Sequence, residues 1–129
     1  RGQRSFLVCG HRKMIVLDAK SGSVLQGLQL GAEVDGVEFD PRLGLAFSSN
    51  GDGTVTVVGS DPSGRYSVVE TVATRRRART LALDASTHRL YLPTASFAPP
   101  PAPTAAQPNP RGAMLADSFV ILVLAPNPR

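Results

Sequence analysis

The chain has no tryptophan, a single cysteine, and aromatic residues at only 5% of its 129 positions. Each scarcity excludes something. One cysteine, Cys9, rules out an internal disulfide, and no spacing of Cys and His supports a zinc site. Cys9 is instead expected as a small buried hydrophobe in a strand. The most apolar stretch, residues 119–125, falls far short of the roughly twenty residues that a membrane-spanning helix needs, so no membrane span is expected. Catalytic signatures are missing too. There is no Gly-x-Ser-x-Gly elbow, no phosphate loop, no His-Glu-x-x-His pair and no haem-attachment pair. No catalytic residue, cofactor or metal ligand is therefore expected. Charge is close to balance, with 14 Lys and Arg against 10 Asp and Glu, and one local cluster can account for the net +4.

What the chain has is a repeat. Asp40-Pro41-Arg42-Leu43-Gly44-Leu45-Ala46-Phe47 returns 44 residues later as Asp84-Ala85-Ser86-Thr87-His88-Arg89-Leu90-Tyr91, with the same apolar and turn positions filled. A period near forty residues, built from short strands and turns, marks a radial or stacked array. With 42% apolar residues, mostly Val, Leu and Ala, the core must come from strand faces.

Ten short apolar runs read as strands: residues 5–9, 14–17, 24–30, 34–39, 45–49, 55–58, 66–72, 80–83, 90–92 and 119–124. Between them lie 19–22, 40–44, 50–53 and 60–64, where Gly supplies positive φ, Pro fixes φ, and Asn and Asp tolerate the left-handed region. No stretch has sustained helical periodicity. Residues 6–17 align on 47–58 at a shift of 41, and 24–30 on 68–74 at a shift of 44. Each unit therefore holds four strands. The chain divides into the last three strands of one unit (1–30), a complete unit (31–74), and an incomplete third unit (75–129) with a Pro-rich insertion at 93–117. Because it opens with Arg1 directly in strand-like sequence, it is expected to be a piece of a longer protein.

Phe47-Ser48-Ser49-Asn50 and Tyr91-Leu92-Pro93-Thr94 each keep part of an aromatic-Val-Thr-Asn strand end, and residues 14–24 read as a strand, an Asp, a turn Gly and a returning strand. In these features the chain resembles the YVTN β-propeller repeat family. The resemblance implies an all-β fold, about two and a half four-stranded antiparallel blades of an incomplete ring. It also implies a periplasmic, secreted or cell-surface location. It departs at Cys9, which stands where Asn50 does, and at Pro93, which interrupts the third copy.

In a four-stranded antiparallel blade, successive connections alternate between two rims. The turns at 18–22, 40–44, 59–64 and 84–88 share one rim. The other collects His11-Arg12-Lys13, the turn 50–53, the cluster Arg75-Arg76-Arg77-Ala78-Arg79, and the insertion. His11 and His88 thus fall on opposite rims, and each is expected at the surface. Arg75, Arg76, Arg77 and Arg79 are candidate anion ligands, since guanidinium forks suit planar anions; the alternative is a solvated charged link. Asn50 and Asp52 are candidate ligand-binding residues with His11, although the turn lacks the further acids and closing Glu of a calcium loop and suffices as a hairpin.

Six of the eleven prolines lie between Pro99 and Pro110, so the insertion is expected to be extended and poor at forming a ladder. It serves either as a lid or docking strand, or as a disordered loop. These readings give a non-enzymatic binding or scaffold propeller. Its expected partners are the remaining blades of the full-length chain and a protein or small anionic ligand; nucleic acid is not expected. The alternatives are an enzyme whose catalytic residues lie on other blades, and polyanion binding through the Arg75–Arg79 cluster.

Overall fold

The computed structural model describes residues 3–127, and all its regular elements are strands. They are β1 (Arg4–Cys9), β2 (Lys13–Asp18), β3 (Val24–Gln29), β4 (Val34–Asp40), β5 (Leu45–Asn50), β6 (Thr54–Ser60), β7 (Tyr66–Ala73), β8 (Ala82–Asp84), β9 (Arg89–Thr94) and β10 (Val120–Leu124). Every pairing is antiparallel between consecutive strands. The result is three sheets, in the order β1-β2-β3, β4-β5-β6-β7 and β10-β9-β8. Residues 1–2 and 128–129, at the outer bounds of the first and third units, lie outside the described residues.

Two turns at different places in the unit share one chemistry. In the turns after β2 and β4, the Gly22 and Gly44 N–H groups each donate to the carbonyl of the leading aspartate at 2.8 Å, with φ of 71° and 68°. Only glycine adopts that conformation without strain. The repeat extends to irregularities: the β2–β3 ladder bulges between Val16 and Leu17, and the β6–β7 ladder at the equivalent Val57 and Val58. A bulge raises local twist, so both sheets twist at the same place.

The sheets stack face to face, with β1 against β4, β3 against β7, and β4 against β8. Period-two alternation on β5 and β6 sends Ala46 and Val58 toward the first sheet, where they meet Met14 and Leu30. It sends Phe47, Val55 and Val57 toward the third, where they meet Leu81, Leu90 and Leu92. The central strands of the middle sheet are thus buried on both faces. Each fully buried aliphatic or aromatic side chain contributes about 1.5–3 kcal/mol to holding the layers together. Phe6 adds ring contacts across the first interface, stacked on Phe39 at 5.0 Å and edge-on to Tyr66 at 5.3 Å. The Gln26 side-chain amide bonds both the N–H and the carbonyl of Tyr66, bridging the outer strands β3 and β7 as a ladder residue would.

The stack is open: the three sheets do not close into a ring. Its two outer faces keep apolar residues in solvent, with Leu7 at 48% exposure on the first sheet, and Ile121 at 55% and Val123 at 51% on the third. Cys9 corrects the expectation of burial. It is exposed, its Sγ 3.7 Å from the Lys13 carbonyl, because alternation turns Leu7 and Cys9 away from the middle sheet. Asn50, at the equivalent position, is buried because the first sheet covers that face of the second. Among the described residues no helix is long and apolar enough to cross a membrane.

Candidate anion-binding groove

The β5–β6 turn is held between two inter-sheet links. On one side the Gly51 N–H donates to the Glu33 carbonyl at 2.9 Å. On the other, Arg77 N–H donates to the Gly51 carbonyl at 2.8 Å and Thr74 N–H to the Gly53 carbonyl at 2.7 Å. Glu33 and Arg77 occupy equivalent repeat positions and share a left-handed backbone, with φ of 56° and 64°. The backbone of the link is therefore conserved between units while its side chain changes sign. That conformation is costly for non-glycine residues and persists because the surrounding bonds fix it.

Onto this platform folds the insertion between β9 and β10. Its stem continues the hairpin: Leu115 N–H donates to the Ser96 carbonyl at 2.9 Å, Ala98 N–H to the Ala113 carbonyl at 2.8 Å, and Phe97 bridges to Met114. The insertion, expected to be poor at forming a ladder, pairs in its stem, which lacks proline, and the Pro-rich tip lies beyond it. Gly112 closes the stem because a Cβ there would collide with the Ala98 carbonyl. Arg77 pins the stem to the link, its guanidinium 4.2 Å from the Phe97 ring centroid and its Nη1 donating to the Gly112 carbonyl at 3.3 Å.

Between link and insertion lies a groove of about 1080 Å³, lined on the link side by Arg75, Arg76, Arg77, Arg79 and Glu33 and on the insertion side by Phe97, Arg111 and several prolines. Five arginines face one glutamate there, an excess as large as the net charge of the whole chain. Arg75, Arg76 and Arg111 are exposed, and Arg79 is half-buried. Among the described residues the only arginine–carboxylate ion pair is Arg4–Asp18, so none of the groove arginines has a carboxylate partner.

The other sequence candidates stand elsewhere. Asn50 is fully buried, its amide donating to Thr54 Oγ1 and Thr56 Oγ1 at 3.0 Å each and accepting from Ser48 Oγ at 3.3 Å. Asp52 accepts from Ala32 N–H and from Thr54 Oγ1, both at 2.7 Å, and so ties the turn to the preceding link. His11 is exposed in the β1–β2 turn, left-handed with its neighbour Arg12, and does not line the groove. Among the described residues no group of His, Cys, Asp and Glu could hold a metal ion.

The opposite rim carries turns headed by aspartates. Asp18, Asp40, Asp61 and Asp84 each head a turn and accept hydrogen bonds within it. All four carboxyls lie below the ordinary carboxylate value. For Asp18 the cause is chiefly the Ser21 N–H, for Asp61 the Ser63 hydroxyl, and for Asp84 the Ser86 and Thr87 hydroxyls, which hold it at about 2. Asp40 is buried, which raises it, but the His88 hydrogen bond and the Leu43 and Arg42 N–H groups outweigh burial.

His88, expected at the surface, is partly exposed and also reaches a buried carboxylate. Its Nδ1 lies 2.6 Å from Asp40 Oδ2, and since an ionised carboxylate only accepts, Nδ1 carries the proton. The pair joins a turn of the second sheet to a turn of the third. Sequence reasoning missed it, and also missed Phe97 and Arg111 in the groove. A lone arginine in a proline-rich run carries no local signal. No protein-family model matches the chain, and no curated protein sequence matches it.

Proposed function

We propose that the chain is part of a YVTN-type β-propeller outside the cytoplasm, a non-enzymatic binding or scaffold protein that meets its ligand on the arginine-bearing rim. The observation that carries this reading is the equivalence of buried and exposed faces. Phe47 and Val57 are buried between the second and third sheets, while their repeat equivalents Tyr91 and Val123 lie on the uncovered face of the third. On the first sheet the uncovered Leu7 is the equivalent of Ser48, which the first sheet itself buries. Each outer face thus has the position of a face that another sheet covers, as expected of a segment from an array in which every unit packs on both neighbours.

Supporting the binding role, the arginine-rich link and the inserted Pro-rich hairpin fall on one rim and build one groove. The test is an electron cryo-microscopy structure of the full-length gene product. A closed ring of four-stranded blades, with this chain occupying two and a part of a third, supports the proposal. An open stack, or a closed sandwich of another kind, overturns it.

A further inference from the structure

We propose that the groove between residues 75–79 and the insertion grips an extended acidic peptide segment of a partner protein. The grip is by Arg75, Arg76 and Arg79 from one wall and Arg111 from the other. This rests on the binding-rim reading above and gives it a ligand class.

Arg77 is not part of the grip. Its guanidinium is already engaged by the Phe97 ring and the Gly112 carbonyl, so its work is to hold the second wall in place. The four remaining arginines line the same groove, and among the described residues none of their guanidinium groups forms an ion pair or a hydrogen bond. Uncompensated guanidinium groups facing one another across a recess repel, and an anion laid between them relieves that repulsion. All the basic residues there are arginines, whose planar forks match carboxylates two bonds at a time, where a lysine would offer only a point charge.

The apolar lining narrows the class. Pro99, Pro100 and Pro110 give a stiff surface without backbone N–H donors, pre-shaped for the flanks of an extended chain. At about 1080 Å³ the groove is much larger than a single carboxylate and suits several residues of a peptide. Nucleic acid fits less well. Base stacking needs an open aromatic face, and the aromatic residue lining the groove, Phe97, has one ring face occupied by Arg77.

The test tethers the chain at low density to a sensor surface, which keeps copies apart, and passes over it a glutamate-rich peptide, its glutamine-rich counterpart and an oligothymidylate. The glutamate peptide is expected to bind, to weaken as salt screens the exposed charges, and to outcompete the other two. The variant R75S/R76S/R111S, altered only at exposed positions, should lose at least about tenfold in affinity, or about 1.4 kcal/mol. R75E/R76E/R111E should instead bind a lysine-rich peptide. Strand content is checked by circular dichroism; should the triple variants lose it, R75S and R111S alone, one on each wall, each carry the test with about a threefold loss. Equal binding of the glutamine peptide, unchanged affinity in folded variants, or tighter binding of the oligothymidylate overturns the proposal. None of these outcomes depends on whether the full-length protein closes into a ring, so the two readings fail separately.

Discussion

Replacing Asn50 with alanine distinguishes a structural from a ligand-binding role for the β5–β6 turn. The side chain is wholly buried and makes three hydrogen bonds, to Thr54, Thr56 and Ser48. A neutral hydrogen bond contributes about 1 kcal/mol net, and a buried hydroxyl left without a partner costs a further 1–3 kcal/mol or so. Ser48 is fully buried and loses its acceptor; Thr54 keeps Asp52. Truncation also leaves space beside Gly31, whose Cα approaches so closely that a Cβ there would sit 2.6 Å from Asn50 Nδ2. Together these give an expected loss of about 3–5 kcal/mol. Urea unfolding followed by far-ultraviolet circular dichroism reads it, with variants compared at one chain concentration because any self-association shifts apparent stability. The exposed Arg75→Ser serves as control and should stay within about 0.5 kcal/mol. A loss below about 1 kcal/mol for Asn50→Ala, accompanied by weaker binding of an acidic peptide, would show that Asn50 serves the ligand and that the hydrogen-bond reasoning is wrong.

Acid should unfold the chain through its aspartate-headed turns. Asp18, Asp40, Asp61 and Asp84 sit below their ordinary 3.8 when folded, Asp84 at about 2, so the unfolded chain binds more protons in acid. The stability they confer is complete above that ordinary value and is lost as pH falls toward about 2. The thermal midpoint should hold steady down to about pH 5 and then fall, and Asp84→Asn should make the fall shallower; a midpoint that rises on acidification refutes the assignment. Leu92→Ala, fully buried between sheets, should cost about 2–5 kcal/mol in the same urea assay. Excising residues 99–111 and closing Ala98 to Gly112 with a short turn should leave the far-ultraviolet spectrum and unfolding midpoint nearly unchanged while abolishing acidic-peptide binding, since the exposed tip supplies one groove wall and no core. A loss of several kcal/mol on excision would make the insertion structural.

The strands were legible because each is a short apolar, β-rich run between turn residues, and all ten occur where such a run stands, within two residues at either end. The short β8 shifts most, covering Ala82–Asp84 where the pattern suggested 80–83. The reason lies in the preceding sheet: the Arg79 carbonyl takes the Ser49 hydroxyl, tying the start of that run to β5. Cys9 shows what alternation cannot tell, namely which of two strand faces has a neighbour. Contacts between units were invisible for a similar reason. Arg77 reaches Gly112 and Asp40 reaches His88 across 35 and 48 positions, and nothing in either local sequence points to the other. The groove was half legible. Four arginines in five residues stand out, but their division into one pinning and three gripping side chains follows from where Phe97 lies.

The central claim is that the outer faces of the first and third sheets are built to be covered by neighbouring sheets, and light scattering with calorimetry on the 129-residue chain tests it most directly. With Leu7, Phe119, Ile121 and Val123 each about half exposed or more on those faces, the chain is expected to self-associate or to unfold over a broad range, and Ile121→Lys with Val123→Lys should reduce the association. A monodisperse monomer with one sharp thermal transition would contradict it.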